Sequence, residues 1–195
     1  MASKTESTLR NMVLALLIVA LVSATSLGYI YELTKGPIEQ AKLAKKLAAI
    51  QQVVPEFTNN PNADMYKVPS DVEGDTLEMY PAYNNDKLVG TAIKTFSDKG
   101  FSKRIYLMVG LLPDGSIKNI QVLEHAETPG LGDKMSKTKS DWSEQFNGKN
   151  PTDFSLKVTK DGGKVNAITA ATISSRAYAD AVERAYKTFM EHGKK

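Results

Sequence analysis

A chain of 195 residues with 25 Lys and Arg against 22 Asp and Glu has room for one compact domain plus attachments. Its formal net charge of +3 gives no field of one sign that would mark a nucleic-acid binder. Cysteine is absent, which excludes disulfides, thiolate-held iron–sulfur clusters and Cys nucleophiles and leaves any redox chemistry to an organic cofactor. His125 and His192 are the sole imidazoles, the second in a Lys-rich tail, so no metal site is expected.

Between Arg10 and Glu32 the segment Asn11 to Tyr31 carries no charge. As a helix rising about 1.5 Å per residue it would span roughly 30 Å, the hydrocarbon core of a bilayer. Val22-Ser23-Ala24 also has the small-residue pattern of a signal-peptide cleavage site. Apolar character resumes beyond it at Leu27, Tyr29, Ile30 and Tyr31, and the two tyrosines suit a membrane interface, so a retained anchor over residues 11–33 is favoured. Lys4 and Arg10 precede the span while Lys35, Lys42, Lys45 and Lys46 follow it, and the count of basic residues leaves its orientation open.

Within residues 34–56, Pro37 suits the first turn of a helix. Leu43, Leu47, Ile50 and Val54 recur at helical spacing before Pro55, which predicts an amphipathic stalk helix with one buried stripe. From Phe57 to Asp75 the chain is rich in Asn, Pro and Asp and reads as surface loop. Three strands are expected at Lys87–Phe96, Arg104–Leu112 and Ser116–Glu124, the last two joined in an antiparallel hairpin by Pro113-Asp114-Gly115. Ile105 to Val109 is apolar on both faces and predicts a central strand covered on each side.

Short helical turns are expected between Asp133 and Phe146, where Trp142 and Phe146 stand four apart, and a further strand at Phe154, Leu156 and Val158. After Thr172 a stripe of Tyr178, Val182, Ala185 and Phe189 predicts an amphipathic helix to about Met190. Together these elements define an α+β domain over residues 57–195, a mainly antiparallel sheet packed by helices.

Two segments could carry chemistry. Thr169-Ala170-Ala171-Thr172-Ile173-Ser174-Ser175 leads into the last helix, where unpaired amides and the helix dipole favour phosphate; an ordinary N-cap made by Thr172, Ser174 or Ser175 explains the same residues. His125-Ala126-Glu127-Thr128-Pro129-Gly130-Leu131-Gly132 joins the hairpin to the next element, and its glycines would let backbone approach a flat ligand, as they would also serve a plain turn. Gly130-Leu131-Gly132 lacks the third glycine of a dinucleotide fingerprint, and no Walker phosphate loop is present. A hydrolase built on His125 with Thr128 or a serine would need an orienting acid that no spacing singles out, so no catalytic residue is assigned.

The N-terminal span, the His125 to Gly132 segment and Thr169-Ala170-Ala171-Thr172-Ile173-Ser174-Ser175-Arg176 together resemble the RnfG family, whose FMN-binding domain is shared with NqrC of the sodium-pumping quinone reductase. The resemblance extends over nearly the whole chain, through the Met108-Val109-Gly110 strand, the Asp114-Gly115 turn and Phe146-Asn147-Gly148-Lys149. It implies FMN joined covalently through its phosphate to Thr172 by a separate magnesium-dependent flavin transferase. Thr169, Ala170, Ala171, Ile173 and Ser174 would surround the attachment, with His125, Glu127, Thr128, Pro129, Gly130 and Leu131 lying against the isoalloxazine.

The resemblance further implies residues 1–10 in the cytoplasm, a single-pass anchor in the inner membrane lipid and a domain outside. Such a subunit carries electrons within an Rnf-type ion-translocating complex and is not catalytic alone. Two positions depart from the family pattern: Ala170 stands where Gly is usual, and Asn166 where Asp is usual. These departures point to the alternative of a flavin-free anchored interaction or assembly module; an NqrC-like quinone reductase role is a third reading.

Overall fold

The computed structural model describes residues 8–193. It divides into two compact units, Met1–Ala44 and Lys45–Lys195, and one helix, α1 (Leu9–Val53), supplies the first unit and the start of the second. In the first unit the apolar side chains from Leu9 to Leu33 are exposed. Each large aliphatic side chain left in water forgoes roughly 1.5–3 kcal/mol of burial, so this surface fits a membrane anchor. Among the described residues α1 is the one helix long and apolar enough to cross a bilayer.

The structure corrects the expectation of a separate helix starting at Pro37, because α1 runs through Gly36 and Pro37 without interruption. The proline forfeits one ladder hydrogen bond, and good helix formers on both sides sustain the helix. Of the expected buried stripe, Ile50 and Val54 are buried, whereas Leu43 and Leu47 are exposed.

The second unit is built on a five-stranded antiparallel meander: β1 (Tyr66–Pro69), β2 (Thr76–Asn84), β3 (Lys87–Ser97), β4 (Ile105–Leu111) and β5 (Ile117–Glu124), paired in chain order. The last three strands and the hairpin at Pro113-Asp114-Gly115 stand where the sequence places them. Gly115 takes φ +86° there, and Asp114 accepts hydrogen bonds from the Ser116 amide and hydroxyl, both at 2.9 Å. Two strands lie where the sequence reads as loop or carries no strand signal, namely β1 and β2. β2 contains Pro81, which pairs with Thr91 of β3. β1 ends its pairing at Tyr66 opposite Met79, so the missing amide of Pro81 costs the sheet nothing on that side.

β4 is covered on both faces, as its apolar run predicts. On one face α2 (Thr172–His192) buries Tyr178, Val182, Ala185 and Phe189 against Ile93, Leu107 and Val109, and Thr95 donates a hydrogen bond to the Ala181 carbonyl at 2.9 Å. On the other face Ala49, Ile50, Val53 and Val54 pack on Tyr80, Ala82, Ala92 and Met108. That approach needs a glycine in the strand, since a Cβ on Gly110 would overlap the Val53 carbonyl.

Between β5 and α2 the chain makes 3-10 turns at Gly132–Met135, Trp142–Phe146 and Thr159–Asp161. Trp142 meets Phe146 and Tyr178 edge-on at 5.6 and 5.1 Å between ring centroids. The expected strand at Phe154 to Val158 reduces to a single parallel bridge, Val158 with Val165. Its apolar residues enter the core singly, Leu156 and Val158 being buried, without a neighbouring strand to ladder with.

Candidate functional site

Three segments distant in the chain meet at the start of α2. The turn between β3 and β4 brings Phe101; the loop after β5 brings Glu127, Thr128, Leu131 and Gly132; and Ala170 to Ser174 close the third side around a cavity of about 340 Å³. Of the residues singled out in the sequence, His125, Pro129, Gly130 and Thr169 do not line this cavity. Phe101 lines it without having been singled out in the sequence, and Gly132, the last residue of the loop motif, lines it as well. A lone aromatic residue among Asp98, Lys99, Gly100, Ser102 and Lys103, polar turn residues that give it no apolar stripe to join, is the signal for Phe101. Its partners become visible only once the sheet is folded.

The loop is held by its own hydrogen bonds. The Glu127 amide donates to His125 Nδ1 at 3.2 Å, and Nε2 of the same ring lies 3.4 Å from the Ser136 hydroxyl, so His125 organises the turn beneath the cavity. Gly132 is required by packing, since a Cβ there would come within 2.8 Å of Glu127 Cβ. Glu127 is buried and accepts hydrogen bonds from the amides of Phe101 at 2.9 Å and Ser102 at 3.4 Å and from the Ser174 hydroxyl.

The hydroxyls at the start of α2 are sorted by their partners. Ser174 is engaged by Glu127. Ser175 is buried, donates to the Ala171 carbonyl at 3.0 Å and accepts from the Ile168 amide at 2.9 Å, and so knots the approach segment to the helix. Thr169 is exposed outside the cavity, and Thr172, half-buried, is the threonine of this segment that lines it. Ala171 occupies the N-cap position and no side chain caps the helix, so the first-turn amides keep their donors and the positive end of the dipole is open to an anion.

Ala170 has φ +61°, a left-handed conformation that glycine adopts at no cost. Asn166 is exposed and held through its backbone: its carbonyl accepts from Trp142 Nε1 at 2.6 Å, and its amide donates to Gln145 Oε1 at 2.8 Å. One turn into α2, Arg176 forms a two-bonded pair with Asp161, both contacts at 2.8 Å, and these hydrogen bonds hold the Asp161 carboxyl below its ordinary range. Deeper in the core, burial pushes the Tyr178 hydroxyl above its ordinary value.

An open slot with apolar walls at Phe101, Leu131 and Ile173, ending on helix-start amides and a threonine, suits a ligand that is flat and apolar at one end and phosphorylated at the other. A family model described as the FMN-binding domain matches residues 100–187, the stretch that contains the slot and its three segments. Nearly the whole length is matched by proteins named as the G subunit of an ion-translocating oxidoreductase complex. The relative from Erwinia tasmaniensis is 39% identical over 176 residues, covering 87% of this chain and 84% of its own. That from Shewanella piezotolerans is 34% identical, covering 90% and 87%, and that from Vibrio cholerae serotype O1 is 34% identical, covering 92% and 89%. The chain therefore belongs to the family of G subunits of ion-translocating oxidoreductase complexes.

Proposed function

We propose that this chain is the electron-carrying subunit of an Rnf-type ferredoxin:NAD oxidoreductase complex that moves ions, with FMN esterified through its phosphate to Thr172. One observation carries the attachment site. Among the hydroxyls at the start of α2, Ser174 and Ser175 are buried and engaged, Thr169 stands outside the cavity's lining, and Thr172 is in it. The site fits the group. A slot of about 340 Å³ falls in the range of small-ligand pockets, about 300–1,000 Å³, and the uncapped amides at the start of α2 would hold the phosphate.

FMN, when bound, supplies reversible electron transfer, and the residues of the chain hold and tune it. The amides of the first turn and the dipole favour the phosphodiester by about 0.3–1 kcal/mol per charge, which stabilises the product and does not activate a threonine hydroxyl. A flavin transferase is therefore required for maturation. A covalent link keeps the site occupied whatever the concentration of free FMN, a requirement outside the cytoplasm. In the same reading residues 1–10 are cytoplasmic, 11–33 cross the inner membrane, and the FMN-binding domain lies outside, in contact with the other subunits of the complex.

Intact mass measured with and without a flavin transferase and magnesium tests this. The expected result is an increase equal to FMN less one water, located on Thr172 by peptide fragmentation and lost in Thr172→Ala while the protein still folds. Modification that persists in Thr172→Ala would overturn the site. A wild-type chain left unmodified beside a positive control would favour the flavin-free module, to which Asn166 and the left-handed Ala170 are the pertinent departures.

A further inference from the structure

The wall of the slot contains a carboxylate whose bonds run to the protein and not to the cavity. Glu127 is 4% exposed. One oxygen accepts the Phe101 and Ser102 amides and the other accepts the Ser174 hydroxyl. Its surroundings are glycines where any Cβ would intrude: one on Gly100 would stand 3.0 Å from Glu127 Oε1, and one on Gly132 would stand 2.9 Å from Oε2. Burying a carboxylate is costly unless it is hydrogen-bonded, and all three donors join the turn to the very start of α2, a turn that Lys99 also ties to Asp180 further along the helix. The donors at 101 and 102 belong to the turn between β3 and β4, and the donor at 174 belongs to the first turn of α2.

We propose that Glu127 is a positioning residue that clamps the Gly100 to Lys103 turn to the start of α2, thereby setting the Phe101 ring as the aromatic wall of the flavin slot. Phe101 is 66% exposed, so burial of its own side chain does not place it; the Arg104–Asp98 and Lys99–Asp180 pairs brace the flanks of the turn, and the bond from its own amide to Glu127 fixes the turn at Phe101. A ring fixed beside Leu131 and Ile173 at the mouth is placed to pack on a planar heterocycle. Both Glu127 oxygens are already engaged by protein donors, so the residue serves the wall and not the phosphate. The proposal rests on the FMN reading above and names the residue that shapes the ring's environment.

The test uses the full chain in detergent as wild type, Glu127→Ala, Glu127→Gln and Phe101→Ala. Hydrogen exchange is measured first, without flavin. The Phe101 and Ser102 amides should exchange about tenfold faster in Glu127→Ala, as expected for loss of a hydrogen bond to a charged acceptor. They should stay near wild type in Glu127→Gln, whose carbonyl still accepts them. The visible circular dichroism of the attached flavin is measured next.

Glu127→Ala and Phe101→Ala should lose the same part of that signal, with attachment at Thr172 retained, and Glu127→Gln should restore it; a residue serving stability alone would lower the melting temperature without this shared signature. Unchanged exchange or an unchanged flavin signal in Glu127→Ala, or failure of Glu127→Gln to rescue, would overturn the clamp. If wild type takes no flavin, the FMN reading fails and the exchange measurement decides the clamp alone. If Glu127→Ala does not fold, Glu127→Asp, one methylene too short to reach both segments, replaces it in both measurements.

Discussion

Replacing Ala170 with glycine should stabilise the protein, although removing a methyl group and adding backbone freedom ordinarily does the reverse. Ala170 sits at φ +61° and is exposed. The left-handed conformation costs a residue with a Cβ roughly 1–2 kcal/mol, and an exposed methyl returns no packing energy. Glycine removes that strain and adds about 0.4–1 kcal/mol of unfolded-state entropy, leaving a net gain of roughly 0.5–1 kcal/mol. Thermal unfolding of a chain this size should shift upward by about 1–4 °C.

The adjacent Ala171 is the control. Its φ of −135° lies outside the left-handed region that favours glycine and its methyl is buried, so Ala171→Gly should lose about 0.8 kcal/mol of burial plus the same entropy term. The assay is thermal unfolding of the full chain in one detergent, followed by circular dichroism. Loss of stability in both variants by similar amounts would refute the strain argument. If the strain also deforms the approach to Thr172, the Ala170→Gly chain should be flavinylated to a higher fraction in a fixed-time transfer assay.

Gly110→Ala should drive the end of α1 off the sheet, because its Cβ would overlap the Val53 carbonyl, and denaturant titration should show a loss of about 1–3 kcal/mol. At Asp180, burial opposes ionisation, but the hydrogen bonds from Lys99 at 2.5 Å and Ser97 at 2.7 Å and the Arg184 charge outweigh it, holding the carboxyl below its ordinary range. Its stabilising contribution is therefore complete above the unfolded value, about 3.9, and is lost as pH falls through the lower folded value. Asp180→Asn should be less stable than wild type at pH 7 by about 1–3 kcal/mol, and a gap that fails to narrow in melts taken down through pH 3 would refute the assignment. For topology, a single cysteine at Ala63→Cys should react with a membrane-impermeant reagent in intact cells and one at Thr5→Cys only after lysis; the opposite pattern would invert the proposed orientation.

Periodicity reveals those parts of this fold whose burial repeats along the chain. The stripe from Tyr178 to Phe189 and the doubly apolar run of β4 are legible because each makes one kind of contact over its length. β1 and β2 are not, since β1 is a four-residue edge strand and β2 carries Pro81 at a position where pairing on one side has ended. A local signal for the β2–β3 hairpin was present in Asn85-Asp86, both at positive φ (49° and 61°), the conformation of a tight hairpin turn. Phe154 to Val158 has strand-like alternation and core burial but no edge free to receive it. At the candidate site the helix start and the Glu127 to Leu131 loop are visible as motifs. The placing of Phe101 and the engagement of Ser174 depend on Glu127, 26 and 47 positions away in the chain, which no local pattern encodes.

The face of the sheet opposite α2 has a practical consequence for making a soluble form of the protein. Ala49, Ile50, Val53 and Val54 shield Tyr80, Ala82, Ala92 and Met108, so a chain begun at residue 57 would expose an aromatic and aliphatic sheet surface to water and invite self-association. A start at or before Lys45, where the second compact unit begins, keeps this cover and leaves behind most of the apolar span. It also retains Lys45 and Lys46, the first donating to the Leu123 carbonyl and the second lying over the Tyr80 ring. The end of α1 from Lys45 to Val53 is thus a lid on the sheet, and the shortest well-behaved fragment is set by that lid and not by the first strand.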